Sequence, residues 1–124
     1  MANNKLMIVD DDKEFLEELE TALGLSGYDL VVFSDALAAL ERVSEIKPQA
    51  VLLDLRMPSM SGFQLADEIR HRSELTNVPI IAMTAQYKDE YKALMKLCGI
   101  EKCLRKPFTP QQVIAEIESS WKQR

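Results

Sequence analysis

The chain places acidic, hydroxyl and ammonium side chains directly after short apolar runs, a combination suited to phosphoryl transfer assisted by a metal ion. Leu6-Met7-Ile8-Val9 leads into Asp10-Asp11-Asp12, Val51-Leu52-Leu53 into Asp54, Pro79-Ile80-Ile81-Ala82-Met83 into Thr84, and Cys103-Leu104-Arg105 into Lys106-Pro107. Three carboxylates gathered in one place repel each other and retain protons unless a cation neutralises them. Hard oxygen ligands with room for water suit Mg²⁺, which binds through one or two carboxylates plus phosphate oxygens. Asp54 is the best candidate nucleophile, because a carboxylate can accept a phosphoryl group as an aspartyl phosphate. Such a transfer depends mainly on positioning and on neutralising charge over the equatorial oxygens. Magnesium can cover one of these oxygens, the Thr84 hydroxyl a second and the Lys106 ammonium a third.

Taken singly, each residue has a plainer reading. An acidic triplet before a helix caps it and complements its positive end, and Asp12 fits that role. A threonine at a strand end is a turn residue, and a lone lysine is a solvated surface group. Lys106-Pro107 is a turn signal at which a cis peptide bond is permitted. Asp54 resists the plain reading, because it ends an apolar run with no local helix to cap and leads into the turn Leu55-Arg56-Met57-Pro58. Joint placement at successive strand ends then favours a site over four separate accidents.

The elements that must position these residues follow from the patterning. Apolar runs of four or five residues read as strands buried on both faces, and open parallel sheets bind ligands just beyond the strands' carboxyl ends. Tyr28 to Phe33 adds a further strand. Helical stripes lie between: Phe15, Leu16, Leu19 and Leu23, with stop signals at Gly24 and Gly27; Ala36, Leu40 and Val43, before Pro48; and Leu65, Ala66 and Ile69, after Gly62. Tyr87, Tyr91, Leu94, Met95 and Cys98 form a fourth stripe closed by Gly99, and Val113, Ile114, Ile117 and Trp121 a fifth. Thr109 is placed to cap the fifth, with Pro110 at its first position. Alternation of five strands and five helices predicts a parallel sheet covered on both faces, joined by right-handed crossovers.

With 124 residues the chain is expected to form one domain spanning 1–124. No repeat, low-complexity stretch or linker interrupts it, and any output domain is expected to be either absent or not included in this sequence. The net charge of −5 disfavours nonspecific attraction to nucleic acid or to an anionic membrane. No run approaches the length of a membrane span, and Met1-Ala2-Asn3-Asn4-Lys5 lacks the apolar core of a signal peptide. Cys98 and Cys103 match no disulfide framework or metal pattern, which suits a reducing compartment, and a cytoplasmic location is expected.

On Val9-Asp10-Asp11, Asp54-Leu55-Arg56-Met57-Pro58 with Gly62, Thr84-Ala85 and Lys106-Pro107-Phe108, the chain resembles the receiver domain of bacterial two-component response regulators. The resemblance covers essentially the whole sequence, and the order and spacing of these motifs make it specific. It implies a single-domain, flavodoxin-like (βα)5 fold with strand order 2-1-3-4-5. It also implies that Asp54 is phosphorylated, that Asp11, Asp54 and the backbone carbonyl of Arg56 hold Mg²⁺, and that Asp10 helps through water. Thr84, Ala85 and Lys106 would line the phosphoryl group. The donor would be a phosphohistidine on a sensor kinase or a histidine phosphotransfer protein. His71, the sole histidine, lies between Arg70 and Arg72 near a helix C-terminus and is expected to be a surface residue.

Two positions depart from the family pattern. Members usually carry Tyr or Phe in the fifth strand, where the ring swings inward as the threonine moves toward the phosphoryl group. The matching residue here is Cys103, whose thiol cannot fill an aromatic-sized space and is expected to be a buried, inert small hydrophobe. Lys102 replaces an acidic residue that contributes to a charged dimer face in many DNA-binding members. Arg56 and Gln86 occupy positions that tune the lifetime of the acyl phosphate in the family.

The leading expectation is therefore a switch, not a turnover enzyme: phosphorylation of Asp54 shifts a two-state equilibrium and alters the face made by the fourth helix, fifth strand and fifth helix. Tyr87, Tyr91, Lys92 and Lys96 are the expected partner surface for an unknown output. A Mg²⁺-dependent phosphohydrolase with an aspartyl nucleophile is the alternative, but Leu55 and Arg56 stand where a second carboxylate would serve as general acid. A nucleotide or flavin module would need a phosphate loop, and Asp10-Asp11-Asp12 would repel phosphate there without metal. A receiver-like fold that is never phosphorylated is disfavoured by the complete set of site residues.

Overall fold

The structure, a computed structural model, describes residues 4–122. Five strands alternate with five helices: β1 (Lys5–Val9), α1 (Lys13–Leu25), β2 (Asp29–Phe33), α2 (Ala36–Ile46), β3 (Ala50–Asp54), α3 (Gly62–Arg70), β4 (Ile80–Thr84), α4 (Tyr91–Leu97), β5 (Lys102–Arg105) and α5 (Pro110–Lys122). One 3₁₀ turn, Ser73–Leu75, lies between α3 and β4. All pairings are parallel, as the alternation of strands and helices predicts, and the strand order is β2-β1-β3-β4-β5, the doubly wound order that the family resemblance implies.

Side-chain alternation along the strands divides the core in two. Met7, Val9, Val51, Leu53, Ile80 and Ala82 face α2, α3 and α4. Leu6, Ile8, Leu52, Ile81, Met83 and Leu104 face α1 and α5. Because β1, β3 and β4 are covered on both sides, their sequences are apolar throughout instead of alternating, and their first polar residue falls where the strand leaves the core.

Side-chain caps fix where α1, α2, α3 and α5 begin, whereas α4 starts without one. The Asp12 carboxylate accepts from the Phe15 N–H at 3.1 Å and caps α1. Asp35 caps α2 in the same way. Ser61 and Gln64 form a reciprocal capping box at α3, and Thr109 and Gln112 exchange equivalent bonds at α5. The Asp12 and Thr109 caps agree with the sequence reading. Three boundaries differ from it: α1 runs through Gly24, the chain reversing at Gly27 with φ +92; Gly62 is the first residue of α3; and α4 starts at Tyr91, leaving Tyr87 in the preceding loop. Tyr87 continues the four-residue spacing of the α4 stripe, but its ring meets Tyr91 edge-on from that loop, with centroids 6.3 Å apart.

Candidate functional site

The strand order brings the carboxyl ends of β1, β3 and β4 side by side, with β5 next in line, and the chemical residues lie there. Asp10 follows β1 and is fully buried, Asp54 closes β3 at 8% exposure, and Thr84 closes β4 at 1%. Asp11 is exposed. Asp10, Asp11 and Asp54 each present a carboxylate oxygen within 4.8 Å of the others, a spacing that a single cation could bridge. The set is all hard oxygen and only partly enclosed, which fits Mg²⁺ with water completing its shell. Arg56 follows Asp54 by two residues, and its N–H reaches Asp54 Oδ1 at 3.5 Å.

Charge is unevenly compensated across this cluster. Lys106 Nζ donates to Asp10 Oδ2 at 2.6 Å and lies 4.2 Å from the centre of the Phe15 ring. Asp10 also accepts from the Asp12 N–H at 3.0 Å through its other oxygen. Asp54 is less well served. Burial, followed by the Asp10 carboxylate, pushes its carboxyl from 3.8 up to about 6, against the opposing pull of the Lys106 ammonium and the Arg56 N–H, while Asp11 adds a smaller upward push. A cation held by these carboxylates would oppose that push and favour the ionised form of Asp54.

A cavity of about 220 Å³ opens over Asp54 and is walled by Arg56, Thr84, Ala85, Gln86 and Lys106. That volume accommodates a phosphoryl group. The Thr84 hydroxyl is turned to its own loop, donating to the Gln86 carbonyl at 3.2 Å and accepting from the Gln86 N–H at 3.2 Å. Arg56 Nη1 spans the mouth to Gln86 Oε1 at 3.2 Å. The Lys106 N–H donates to the Thr84 carbonyl at 2.8 Å and ties the ends of β4 and β5, and the Lys106–Pro107 peptide is cis.

The floor of the site has no spare room. Gly62 N–H donates to the Leu55 carbonyl at 3.0 Å, and a Cβ on Gly62 would collide with the Asp54 carbonyl oxygen and the Leu55 Cα. Only glycine lets α3 begin this close to the turn that carries Asp54.

The structure therefore brings Asp10, Asp11, Asp54, Arg56, Thr84, Ala85 and Lys106 together. Cys103 lies apart from them, half-buried on β5 on the α4 side of the sheet, with its thiol pushed up by burial. Tyr87 and Tyr91 are half-buried, while Lys92 and Lys96 are exposed. His71 is exposed at the end of α3. Phe15, which the sequence reading assigned only to the core stripe of α1, also lies beside the site; its closeness to Lys106 depends on α1 and the end of β5 converging on one side of the sheet, which local spacing does not show.

Residues 6–118 match the response regulator receiver domain family. Over 116 residues the chain is 38% identical to the transcriptional regulatory protein CpxR homolog of Haemophilus influenzae, covering 94% of this chain and 49% of that protein. It is 30% identical over 117 residues to the alkaline phosphatase synthesis transcriptional regulatory protein PhoP of Bacillus subtilis, covering 94% and 48%. The chain spans about half the length of these curated relatives. Among solved structures, the chemotaxis protein CheY4 of Vibrio cholerae superposes with a TM-score of 0.91 at 26% identity, covering 96% of this chain and 99% of that one.

Proposed function

The chain belongs to the response regulator receiver domain family, and from that premise we propose that Asp54 accepts a phosphoryl group from a phosphohistidine on a partner kinase or phosphotransfer protein, with Mg²⁺ beside it. In the transfer an Asp54 carboxylate oxygen forms the new O–P bond while the donor's N–P bond breaks, its electron pair returning to the imidazole nitrogen. The metal would supply charge neutralisation for the transferring group. Asp11, Asp54 and the Arg56 carbonyl would hold it, with Asp10 acting through water. Lys106, lying between Asp10 and the cavity, covers one equatorial oxygen, and the Thr84 hydroxyl another once it turns from Gln86; the backbone at Ala85 closes that side.

One observation carries this reading: the buried, charge-crowded Asp54 carboxylate opens into a phosphoryl-sized cavity that Thr84 and Lys106 also line. A nucleophile whose charge is disfavoured in the free site gains most from a bound cation. The phosphohydrolase alternative lacks support: the cavity walls are Arg56, Thr84, Ala85, Gln86 and Lys106, none of which is a carboxylic acid that could protonate a leaving alkoxide.

We read residues 1–124 as one cytoplasmic receiver domain that acts as a switch and is not itself a binder of nucleic acid or membrane. Residues 1–3 and 123–124 fall outside the described residues. No described helix is long and apolar enough to cross a membrane. Its partner face is the outer side of α4 with β5 and α5, where Lys92 and Lys96 are exposed beside Leu94 and Leu97 and the partly buried Tyr87 and Tyr91. Incubation with a small phosphodonor and Mg²⁺, read by intact mass, is expected to add one phosphoryl group to this protein and none to Asp54→Asn. No addition to the parent would overturn the reading.

A further inference from the structure

We propose that Tyr87 carries the state of the Asp54 site to the outer surface of α4, the part that Cys103 is too small to play. The inference rests on the reading of Asp54 as the phosphoacceptor. It begins with a conflict of hydrogen bonds. The Thr84 hydroxyl has one proton, and that proton is committed to the Gln86 carbonyl while its oxygen accepts from the Gln86 N–H. To donate to a phosphoryl oxygen on Asp54, Thr84 must release Gln86. The residue that follows Gln86 is Tyr87.

The Tyr87 ring lies over the Arg105 guanidinium, 4.2 Å from its carbon to the ring centre. It meets the Tyr91 ring edge-on, and Tyr91 in turn meets Phe63 of α3 at 5.2 Å between centroids. Three rings thus link the loop at the site to the start of α4 and to α3. Arg105 is one residue from Lys106, whose N–H is bonded to the Thr84 carbonyl, so the cation against the Tyr87 ring is attached to the strand ends that hold the site, while Tyr91 attaches the ring to α4.

Space for a second position exists on the same side of the sheet. A groove of about 730 Å³ between α4 and β5 is lined by Tyr87, Met95, Cys103 and Arg105. Cys103, Tyr87 and Tyr91 all pack against the α4-side core cluster, and Cys103 and Tyr87 line this same groove. When Gln86 is released, the Tyr87 ring leaves Arg105 and packs inward over Cys103, uncovering the guanidinium beside α4. The aromatic of the relay then comes from the β4–α4 loop instead of from β5.

The test uses the protein labelled with 3-fluorotyrosine, whose three tyrosines, Tyr28, Tyr87 and Tyr91, give separate fluorine resonances assigned by single Tyr→Phe variants. Acetyl phosphate and Mg²⁺ are added, and intact mass is followed in parallel. The Tyr87 resonance is expected to move in step with the phosphorylated fraction, Tyr91 to move less and Tyr28 to stay. In Cys103→Phe, where the inward position is filled, the Tyr87 shift is expected to be lost; in Cys103→Ser it is expected to persist. A protein phosphorylated by mass whose Tyr87 resonance does not move would overturn the inference without touching the phosphoacceptor reading. The parent protein decides this even if Cys103→Phe does not fold, and a full shift in a folded Cys103→Phe would also overturn it. Failure to gain mass would bring down the phosphoacceptor reading and this inference with it.

Discussion

Arg70 and Asp54 each hold an ionisable group largely out of water, and their surroundings are opposite. The Arg70 guanidinium, with its side chain 17% exposed, donates to the carbonyls of Gly99, Leu75, Thr76 and Val78 at 2.6–3.2 Å and lies 3.5 Å from Glu101. It joins the end of α3 to the segments that enter β4 and β5, and its charge is fully answered. Asp54 is crowded by two further carboxylates and receives only one long N–H contact and the more distant Lys106. A buried charge that finds its partners stabilises the fold, and one that lacks them costs stability until a ligand supplies them. The saturated cluster is a fastening, and the unsaturated one is the proposed binding site.

The largest effect is expected at the fastening. Arg70→Met leaves several carbonyls without a donor and should cost about 3 kcal/mol in chemical denaturation; a change within error would erase the contrast between the regions. Gly62→Ala presses a methyl group into the backbone under Asp54 and should cost about 2 kcal/mol, read the same way. At the unsaturated cluster the sign reverses: in chelator at neutral pH, Asp54→Asn removes a disfavoured charge and should stabilise the protein by on the order of 1 kcal/mol.

That gain depends on pH in a defined direction. The folded-state value of Asp54, about 6, lies above the ordinary 3.8, so folding favours its protonated form. The contribution is fully present below the ordinary value and is lost as pH rises through about 6. Metal-free Asp54→Asn should therefore match the parent near pH 3.5 and exceed it above pH 6, as thermal melts at each pH would show. The smallest expected effect is that of the cation itself: Mg²⁺ at its dissociation constant should stabilise the parent by about 0.4 kcal/mol. The same addition should do less for Asp54→Asn, and equal stabilisation of both would place the cation elsewhere.

Much of this was legible in the sequence because it depends on local rules. β1, β3 and β4 are buried on both faces, so their apolar runs are continuous and their ends are marked by Asp10, Asp54 and Thr84. Asp12 and Thr109 precede helices that need caps. What escaped depends on contacts between distant segments. Arg70 reads as an ordinary basic residue at a helix end, and its partner Gly99 is 29 residues away. Lys106 on Asp10 is a contact between residues 96 apart in sequence, and only the assembled sheet and its helices place Phe15 beside it. Tyr87 was misplaced because its spacing from Tyr91 imitates a helix turn that the chain does not make.

The most direct test of the central claim locates the acyl phosphate. The protein is phosphorylated with acetyl phosphate and Mg²⁺, reduced with borohydride to convert an aspartyl phosphate to homoserine, and mapped by peptide mass. The account predicts homoserine at position 54 and unaltered aspartate at positions 10 and 11. Reduction at Asp10 or Asp11, or at no aspartate, would contradict it.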